Sequence, residues 1–473
     1  MKTKLTRFVF CLSAIAFLFA GSLSVHAETG GIYIGGSRLK DNNQGMIDTL
    51  STNNVNEVFV LVKGESGDFT AQNKLTDFTT RAHEKNIKVN LVYIVLTDNY
   101  YFAENPGAYV YHCPKPGVSL RPYIMSSASP FVNLLYPGYK HYVMDNIAWL
   151  VETYDCDGIC LDNLRYTHFV YSFDPWSLKK AADLGCDTTH LLSFFTTEAN
   201  YNTYAYNNGF IDLYRKNPDP DVVKWVDMRK EVISEYLTAI RDTMDHVRPG
   251  LKLSAFFMPE SAETANLDFG WVHYGQDYTI HAKLLDQITP TAYIISYGKP
   301  VDWIQTLTAT AKSFATADGN NCKVVTAIQT YAGIDATSLD TQIGKALDGG
   351  SDGVIVNKYD DIKNSANWSI IKNRFGTFSG LEDISADVLI LNQNYPNPFS
   401  SVTTISFQVK KPSRVSLKIY DAVGRKVTTL VNENKLPGTY QVNFEAKDLS
   451  SGVYFYKLEI DGANTTRRMV LVK

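Results

Sequence analysis

Apolar, β-branched runs recur along the chain from residue 31 to residue 359, with longer polar stretches between them. The runs are Gly31–Ser37, Glu57–Gly64, Ile87–Leu96, Asp157–Tyr166, Lys252–Pro259, Gln287–Ile295, Lys323–Tyr331 and Gly353–Tyr359. Continuous apolar runs of this length, bounded by turn residues, predict strands buried on both faces. In Asn73–Lys85, Tyr139–Thr153, Val222–His246 and Val301–Phe314 the apolar residues fall three and four apart, which predicts amphipathic helices. Eight strands alternating with helices predict a (β/α)8 TIM barrel over residues 28–375. An open doubly wound sheet is the alternative. It usually has a Gly-rich phosphate turn after its first strand, and Ile34-Gly-Gly-Ser37 is a weak version of that turn.

The period changes near Leu381. Short alternating segments follow: Thr404–Val409, Val415–Asp421, Gly438–Glu445, Val453–Ile460 and Arg468–Val472. Turns at Pro437-Gly, Ser451-Gly and Asp461-Gly separate them. They predict a small all-β, Ig-like sandwich over residues 388–473, behind a linker at residues 376–387. The module opens with Asn394-Tyr-Pro-Asn-Pro-Phe399 and continues through Ile419-Tyr-Asp421, Gly424-Arg-Lys, Leu449-Ser-Ser-Gly-Val-Tyr454 and Arg468-Met-Val-Leu. With these motifs it resembles the C-terminal sorting domain of the type IX secretion system. The resemblance implies a cargo handled by that machinery, exported through the periplasm and then released or held at the outer-membrane surface.

The N-terminus agrees with export. Lys2, Lys4 and Arg7 precede an apolar stretch from Phe8 to Ala20, and Val25-His-Ala27 is a small-x-Ala cleavage pattern. Residues 1–27 are therefore expected to be a secretory signal peptide. Without them the chain has 42 basic against 49 acidic residues, a balance of −7. That balance, with no basic cluster, argues against a nucleic-acid partner. No other apolar run is long enough to be a transmembrane segment, and a monomer is expected. Five cysteines remain, an odd number, so at least one thiol stays unpaired. Cys156 and Cys160 flank one strand and are too far apart along it to bridge. Cys113 and Cys186 fall in loops after neighbouring strands, where a bridge is an open possibility. The nine His are scattered and no metal-ligand spacing occurs, so neither a metal nor a cofactor is expected.

Acids at strand ends are the candidate chemistry. On the fourth strand Gly158, Cys160 and Asp162 share one face, and Ile159 and Leu161 share the other. If the apolar pair packs on helices, Asp162 points into the barrel mouth, where barrel enzymes carry out their chemistry. On the fifth strand Ser254, Phe256, Met258 and Glu260 are expected to share a face. Carboxyls on adjacent strand tips, about 5 Å apart, suit a glycosidase pair. Asp162 would be the nucleophile and Glu260 the acid/base, with its pKa raised by Asp162 and by burial. Arg165 would keep an acid ionised or clamp substrate hydroxyls; Tyr166 would donate a hydrogen bond or stack. Tyr293, Gln329 and Asp360, near the ends of the sixth to eighth strands, could bind a sugar. The bland readings are a helix cap or an Arg165 ion pair for Asp162, and a first-turn acid for Glu260. Two inserts, Thr97–Pro137 and Thr167–Pro220, are rich in Tyr and Phe and are expected to wall the cleft.

Tyr136-Pro-Gly-Tyr, the run Tyr154-Asp-Cys-Asp-Gly-Ile-Cys-Leu-Asp162-Asn-Leu-Arg165-Tyr166, Trp225-x-x-x-Arg229 and Leu253–Ser261 together resemble the glycosyl-hydrolase-like barrels related to α-amylases. The resemblance covers about residues 31–375. It implies a barrel hydrolase acting on glycosides, with the strand-four Asp as nucleophile and the strand-five acid as proton donor. The chain departs from that pattern at Cys160, where His is common, at Asn163, where an acid or aromatic is common, and at Thr167, where Pro is usual. The expected function is a secreted glycoside hydrolase acting on a polysaccharide or cell-wall glycan. The alternative is a surface glycan-binding barrel without catalysis. A barrel lyase or deacetylase would usually need metal ligands that the sequence does not offer.

Overall fold

The computed structural model describes residues 29–118, 121–122, 131–206, 209–263, 267–376 and 390–472, the last stretch apart from 395, 410–411, 422–424, 437, 448 and 461–462. The signal-peptide segment and most of the linker lie outside the described residues. Eight parallel strands close a barrel: β1 Thr29–Ile34, β2 Glu57–Lys63, β3 Lys88–Ile94, β4 Gly158–Asp162, β5 Lys252–Phe257, β6 Gln287–Ala292, β7 Lys323–Gln329 and β8 Gly353–Asn357. Each strand pairs with its neighbours in chain order, and β8 returns to pair with β1. All eight coincide with the apolar runs of the sequence.

Strand parity sorts the side chains into two cores. Phe59, Val92, Cys160, Phe256, Val325, Ala327 and Ile355 fill the barrel interior. Ile159, Leu161, Ala255 and Phe257 face outward to the helix layer. The N-terminal end of the barrel is plugged by polar groups. Glu57 accepts from Asn90 Nδ2 at 2.6 Å and pairs with Lys252. Gly158 has no room for a side chain: a Cβ there would lie 2.4 Å from the Lys252 carbonyl oxygen of β5.

Helices Gln72–Glu84, Tyr139–Thr153, Pro220–Val247 and Trp303–Ala315 match the predicted amphipathic stretches to within two residues at each end. Gln44–Thr52, Ala336–Asp348 and Ser365–Phe375 add three more to the outer ring. Pro220 opens the longest of these helices at its first position, and the Asp219 carboxylate accepts from the backbone N–H groups of Asp221 and Val222. An isolated bridge from His112 to Tyr171 ties the two inserts together, and one from Thr97 to Phe131 closes the first insert on itself. Their rings mostly pack on one another. Phe169 stacks on Phe210 at 3.6 Å, Phe173 on Trp225 at 4.8 Å, and Tyr101, Phe102 and Tyr201 are buried. Cys113, Cys156, Cys160, Cys186 and Cys322 are all free thiols and all buried.

The C-terminal module has two antiparallel sheets. One contains β9 Ile390–Leu391, β10 Val402–Val409 and β13 Gly438–Glu445. The other contains β11 Ser413–Asp421, β12 Lys426–Lys435, β14 Gly452–Ile460 and β15 Ala463–Leu471. The alternating residues Ile405, Phe407, Leu417, Ile419, Tyr456 and Leu458 form its core. β12 escapes the sequence pattern because only Val431 of it is buried. The Asn394–Phe399 motif braces the sandwich. Asn394 Nδ2 donates to Thr403 Oγ1 at 2.9 Å, the Asn394 N–H donates to Tyr456 Oη at 2.8 Å, and Phe399 is buried.

Candidate active site at the mouth of the barrel

Asp162 ends β4 on the inward face, two residues after Cys160, and level with Ile94 of β3. It keeps partial contact with solvent, and its Oδ1 accepts the Asn163 N–H at 2.8 Å. Asn163 takes a left-handed turn at φ 54°, which stops the strand immediately after the acid. Burial raises the Asp162 pKa above the ordinary Asp value. The Arg165 cation opposes that shift, and the Glu65 charge adds to it. Glu65 sits in the turn closed by the Gly67 N–H on the Gly64 carbonyl, just past β2.

Two tyrosines face the same acid. Tyr33 of β1 and Tyr293, one residue past β6, are held protonated well above the ordinary phenol range by burial, and the Asp162 charge adds to the effect. Asn357, at the tip of β8, donates its amide to Tyr293 Oη at 2.6 Å. The Tyr293 hydroxyl therefore accepts from one side and has its own proton to offer elsewhere.

Glu260 stands on the same rim, but not by strand alternation. β5 stops at Phe257, and Pro259 has no N–H with which to continue a ladder. Pro259–Ala262 winds a 3-10 turn that carries Glu260 out of the strand's two-residue period. Glu260 Oε1 lies 3.5 Å from Tyr274 Oη. Oε2 is sealed from solvent without a hydrogen-bond partner among the described residues. Burial raises the Glu260 pKa above the ordinary Glu value; the neighbouring charge that adds to it is Glu263, while Arg165 opposes it.

Arg165 links the two acids. Its guanidinium lies over the Tyr274 ring, 5.4 Å from the centroid, and its Nη1 donates to the Tyr166 carbonyl at 3.1 Å. From there its charge reaches both Asp162 and Glu260. Gln276, fully buried, braces the same region. Its Nε2 donates to Leu164 O at 3.2 Å and its Oε1 accepts from the Met258 N–H at 2.8 Å, tying the loop after Asp162 to the turn that carries Glu260.

The remaining sequence candidates have other surroundings. Tyr166 lies behind the mouth with its ring 4.2 Å from the Arg229 guanidinium, and its hydroxyl is buried without a partner among the described residues. Gln329 is fully buried and its Oε1 accepts the Ile295 N–H at 2.9 Å, which fixes the loop after β6. Asp360 pairs with Arg38 at 2.5 Å across the β8 and β1 ends. Arg165 thus acts on both Asp162 and Glu260, Tyr293 and Tyr33 stand in the field of Asp162, and Asn357, Tyr274 and Gln276 brace these groups. Tyr33 and Asn357 share inward parity with Gly31 and Ile355, a signal that the strand pattern already contained. Among the described residues, the trio His190, Asp219 and Asp221 could bring ligand atoms within metal-binding reach. It lies where the β4 insert meets helix Pro220–Val247; Asp219 caps that helix and Asp221, in its first turn, pairs with Lys224 at 3.5 Å.

Residues 393–473 match the family model described as the secretion system C-terminal sorting domain. The chain ends in a type IX sorting domain. No curated protein matches the chain. Among solved structures, the barrel is similar to the PgaB (BpsB) glycoside hydrolase domain from Bordetella bronchiseptica, at 13% identity and TM-score 0.57, over 74% of this chain and 99% of that one. It is also similar to β-galactosidases from Rahnella sp. R3 (12% identity, TM-score 0.52) and Bacillus circulans sp. alkalophilus (11%, 0.51). These two matches cover 76% of this chain and 57% of theirs. At such identities the likeness is one of fold, a closed eight-stranded parallel barrel, here joined to a sorting domain that marks it for export.

Proposed function

We propose that the barrel is an exported glycoside hydrolase that cleaves a polysaccharide or cell-wall glycan with retention of configuration. The observation that supports this most directly is that Asp162 ends β4, Glu260 follows the end of the adjacent strand β5, and the Arg165 cation acts on both. Asp162 attacks the anomeric carbon as Glu260 protonates the departing glycosidic oxygen. Glu260 then takes a proton from the water that hydrolyses the glycosyl-enzyme. Burial favours the protonated form that Glu260 needs, and the Arg165 cation favours the ionised form that Asp162 needs. Tyr293, and Tyr33 with it, offers a phenolic proton to the carboxylate or to a sugar hydroxyl. The reading extends to residues 28–375 as the catalytic unit, 388–473 as the detachable address, and surface display or release after export.

The test is direct. Asp162→Asn and Glu260→Gln should each lower kcat by roughly 10³-fold or more, with glycan affinity retained. The first-formed product, followed by NMR, should keep the anomeric configuration of the substrate. A glycan that binds and is cut equally well by both variants would falsify the reading. One observation favours the second reading, a glycan-binding barrel without turnover. The position two before Asp162 holds Cys160, whose thiol is pushed up to about 12 by burial and stays inert where a His would titrate. On that reading both variants bind as the parent does, and the parent itself cuts nothing.

A further inference from the structure

Beside Glu260 the rim opens into a cavity of about 240 Å³. Phe269, Tyr297 and Trp303 wall it, and Glu260, Glu263 and Lys299 supply its polar lining. The rings come from two successive connections of the barrel. Phe269 lies on helix Leu267–Tyr274 after β5; Tyr297 and Trp303 lie in and beyond the loop after β6. Most of the polar lining is already engaged. Glu263 takes Lys299 at 2.6 Å and also accepts the Trp303 indole N–H, which fixes the Trp ring. Lys299 sits 5.4 Å from the centroid of that ring. Tyr297 Oη lies 3.3 Å from Thr291 Oγ1, and its ring stands 5.9 Å from that of Trp303 at 51°.

Glu260 is different. It lines the cavity with, among the described residues, only the long 3.5 Å contact from Tyr274 Oη on its Oε1, so the carboxyl keeps bonding capacity for a ligand. Aromatic faces with a polar rim match the apolar C–H face and hydroxyl edge of a sugar ring. The volume is below the roughly 300–1,000 Å³ of pockets for drug-sized ligands, which suits a single ring.

We infer that this cavity is the leaving-group subsite, holding the pyranose on the departing side of the scissile bond against Trp303 and Tyr297, with Glu260 facing the glycosidic oxygen. The inference rests on the hydrolase reading above and assigns the residues that would hold its leaving-group sugar. The proton of Glu260 passes to the bridging oxygen as the C1–O bond breaks and the Asp162 carboxylate bonds to C1. The freed sugar departs from the cavity. Water then attacks C1, returns a proton to Glu260 and releases Asp162.

Glycosyl fluorides isolate this subsite, because fluoride leaves without a proton donor and fills no sugar pocket. The full chain and its variants are assayed on α- and β-linked tetraoses of glucose, mannose, galactose and N-acetylglucosamine, and on the matching α- and β-fluorides. Trp303→Ala should lower the ratio of tetraose to fluoride kcat/KM about tenfold or more, Phe269→Ala should lower it less, and Trp303→Tyr should restore most of it. If Trp303→Ala does not fold by circular dichroism, Phe269→Ala decides the question. An unchanged ratio in the folded alanine variants, or equal losses on both substrates, overturns the subsite. Asp162→Asn is run in parallel. Fluoride hydrolysis lost in that variant upholds the hydrolase reading, so an unchanged ratio then removes the subsite alone. Fluoride hydrolysis that persists in it, or a parent chain inactive on every substrate, overturns the hydrolase reading and this inference with it.

Discussion

Arg165 is the residue whose charge acts on both acids. It stabilises the ionised form of both Asp162 and Glu260, while burial opposes ionisation at both. A nucleophile must be ionised and an acid protonated, so kcat/KM should fall on the acid side as Asp162 gains its proton. That limb should lie above the ordinary Asp value of about 3.9. Arg165→Gln removes the cation, so the acid limb should move to higher pH in a pH–rate profile. A limb that stays in place would separate Arg165 from Asp162. Linkage gives a second prediction at the same position. The folded state holds the Asp162 proton more tightly than the unfolded chain does, so ionisation costs stability. The cost is absent below the ordinary carboxylate value and complete above the raised one. Asp162→Asn should therefore melt higher than the parent at pH 7, and the gap should close as pH falls toward about 4.

The connections between elements hold the mouth in shape, and one of them carries a sealed ion pair. Lys63, the last residue of β2, lies 3.1 Å from Asp98 just past β3, and both side chains are fully buried. Lys63 Nζ also donates to the Ile94 carbonyl at 2.8 Å and the Thr97 carbonyl at 2.7 Å. Asp98 accepts from the Tyr101 N–H at 2.9 Å and from Tyr142 Oη at 3.0 Å. Every member is partnered, so the pair clamps the start of the β3 insert to the barrel. Lys63→Met leaves Asp98 charged and buried without its cation, at an expected cost of about 3–5 kcal/mol in denaturant unfolding. Lys63→Met with Asp98→Asn should recover most of that loss, because no lone charge remains. A double variant as unstable as the single one would point to packing rather than charge. Arg229 plays a parallel part on helix Pro220–Val247. Fully buried, it donates to the carbonyls of Val272, His273 and His168 and so anchors the connections after β4 and β5 to the helix layer.

For the whole molecule, the two modules have hydrophobic clusters with no residue in common. That is the arrangement expected of an address attached to cargo. Deleting residues 388–473 should leave a barrel that melts within roughly 2–4 °C of its transition in the full chain, a shift worth about 1 kcal/mol. In a cell with the type IX machinery the shortened chain should accumulate in the periplasm, and immunoblots of periplasm and culture medium would show it. A shortened chain found outside the cell, or one that no longer folds, would contradict the division.

The alternation of residues along β4 was enough to send Cys160 and Asp162 inward and Ile159 and Leu161 outward, because period two is a property of an extended backbone. The eight apolar runs likewise determined the barrel, since strands buried on both faces need helices around them. The motif from Asn394 to Phe399 marked the sorting domain, because its bonds are to the sandwich's own strands. The surroundings of side chains beyond the strand tips were decided by closure of the barrel. Glu260 reaches the rim through a 3-10 turn that Pro259 starts, and its charged neighbours come from Glu263 and from Arg165 of another connection. The Gln329 amide is taken up by a backbone N–H 34 residues away, and Tyr166 is claimed by Arg229. In the inserts, rich in aromatic residues by sequence, many of the rings pack against one another and into the core. Local periodicity sets which way a strand residue points; only contacts between distant segments set what it meets there, because those partners are brought together by the fold and not by the chain.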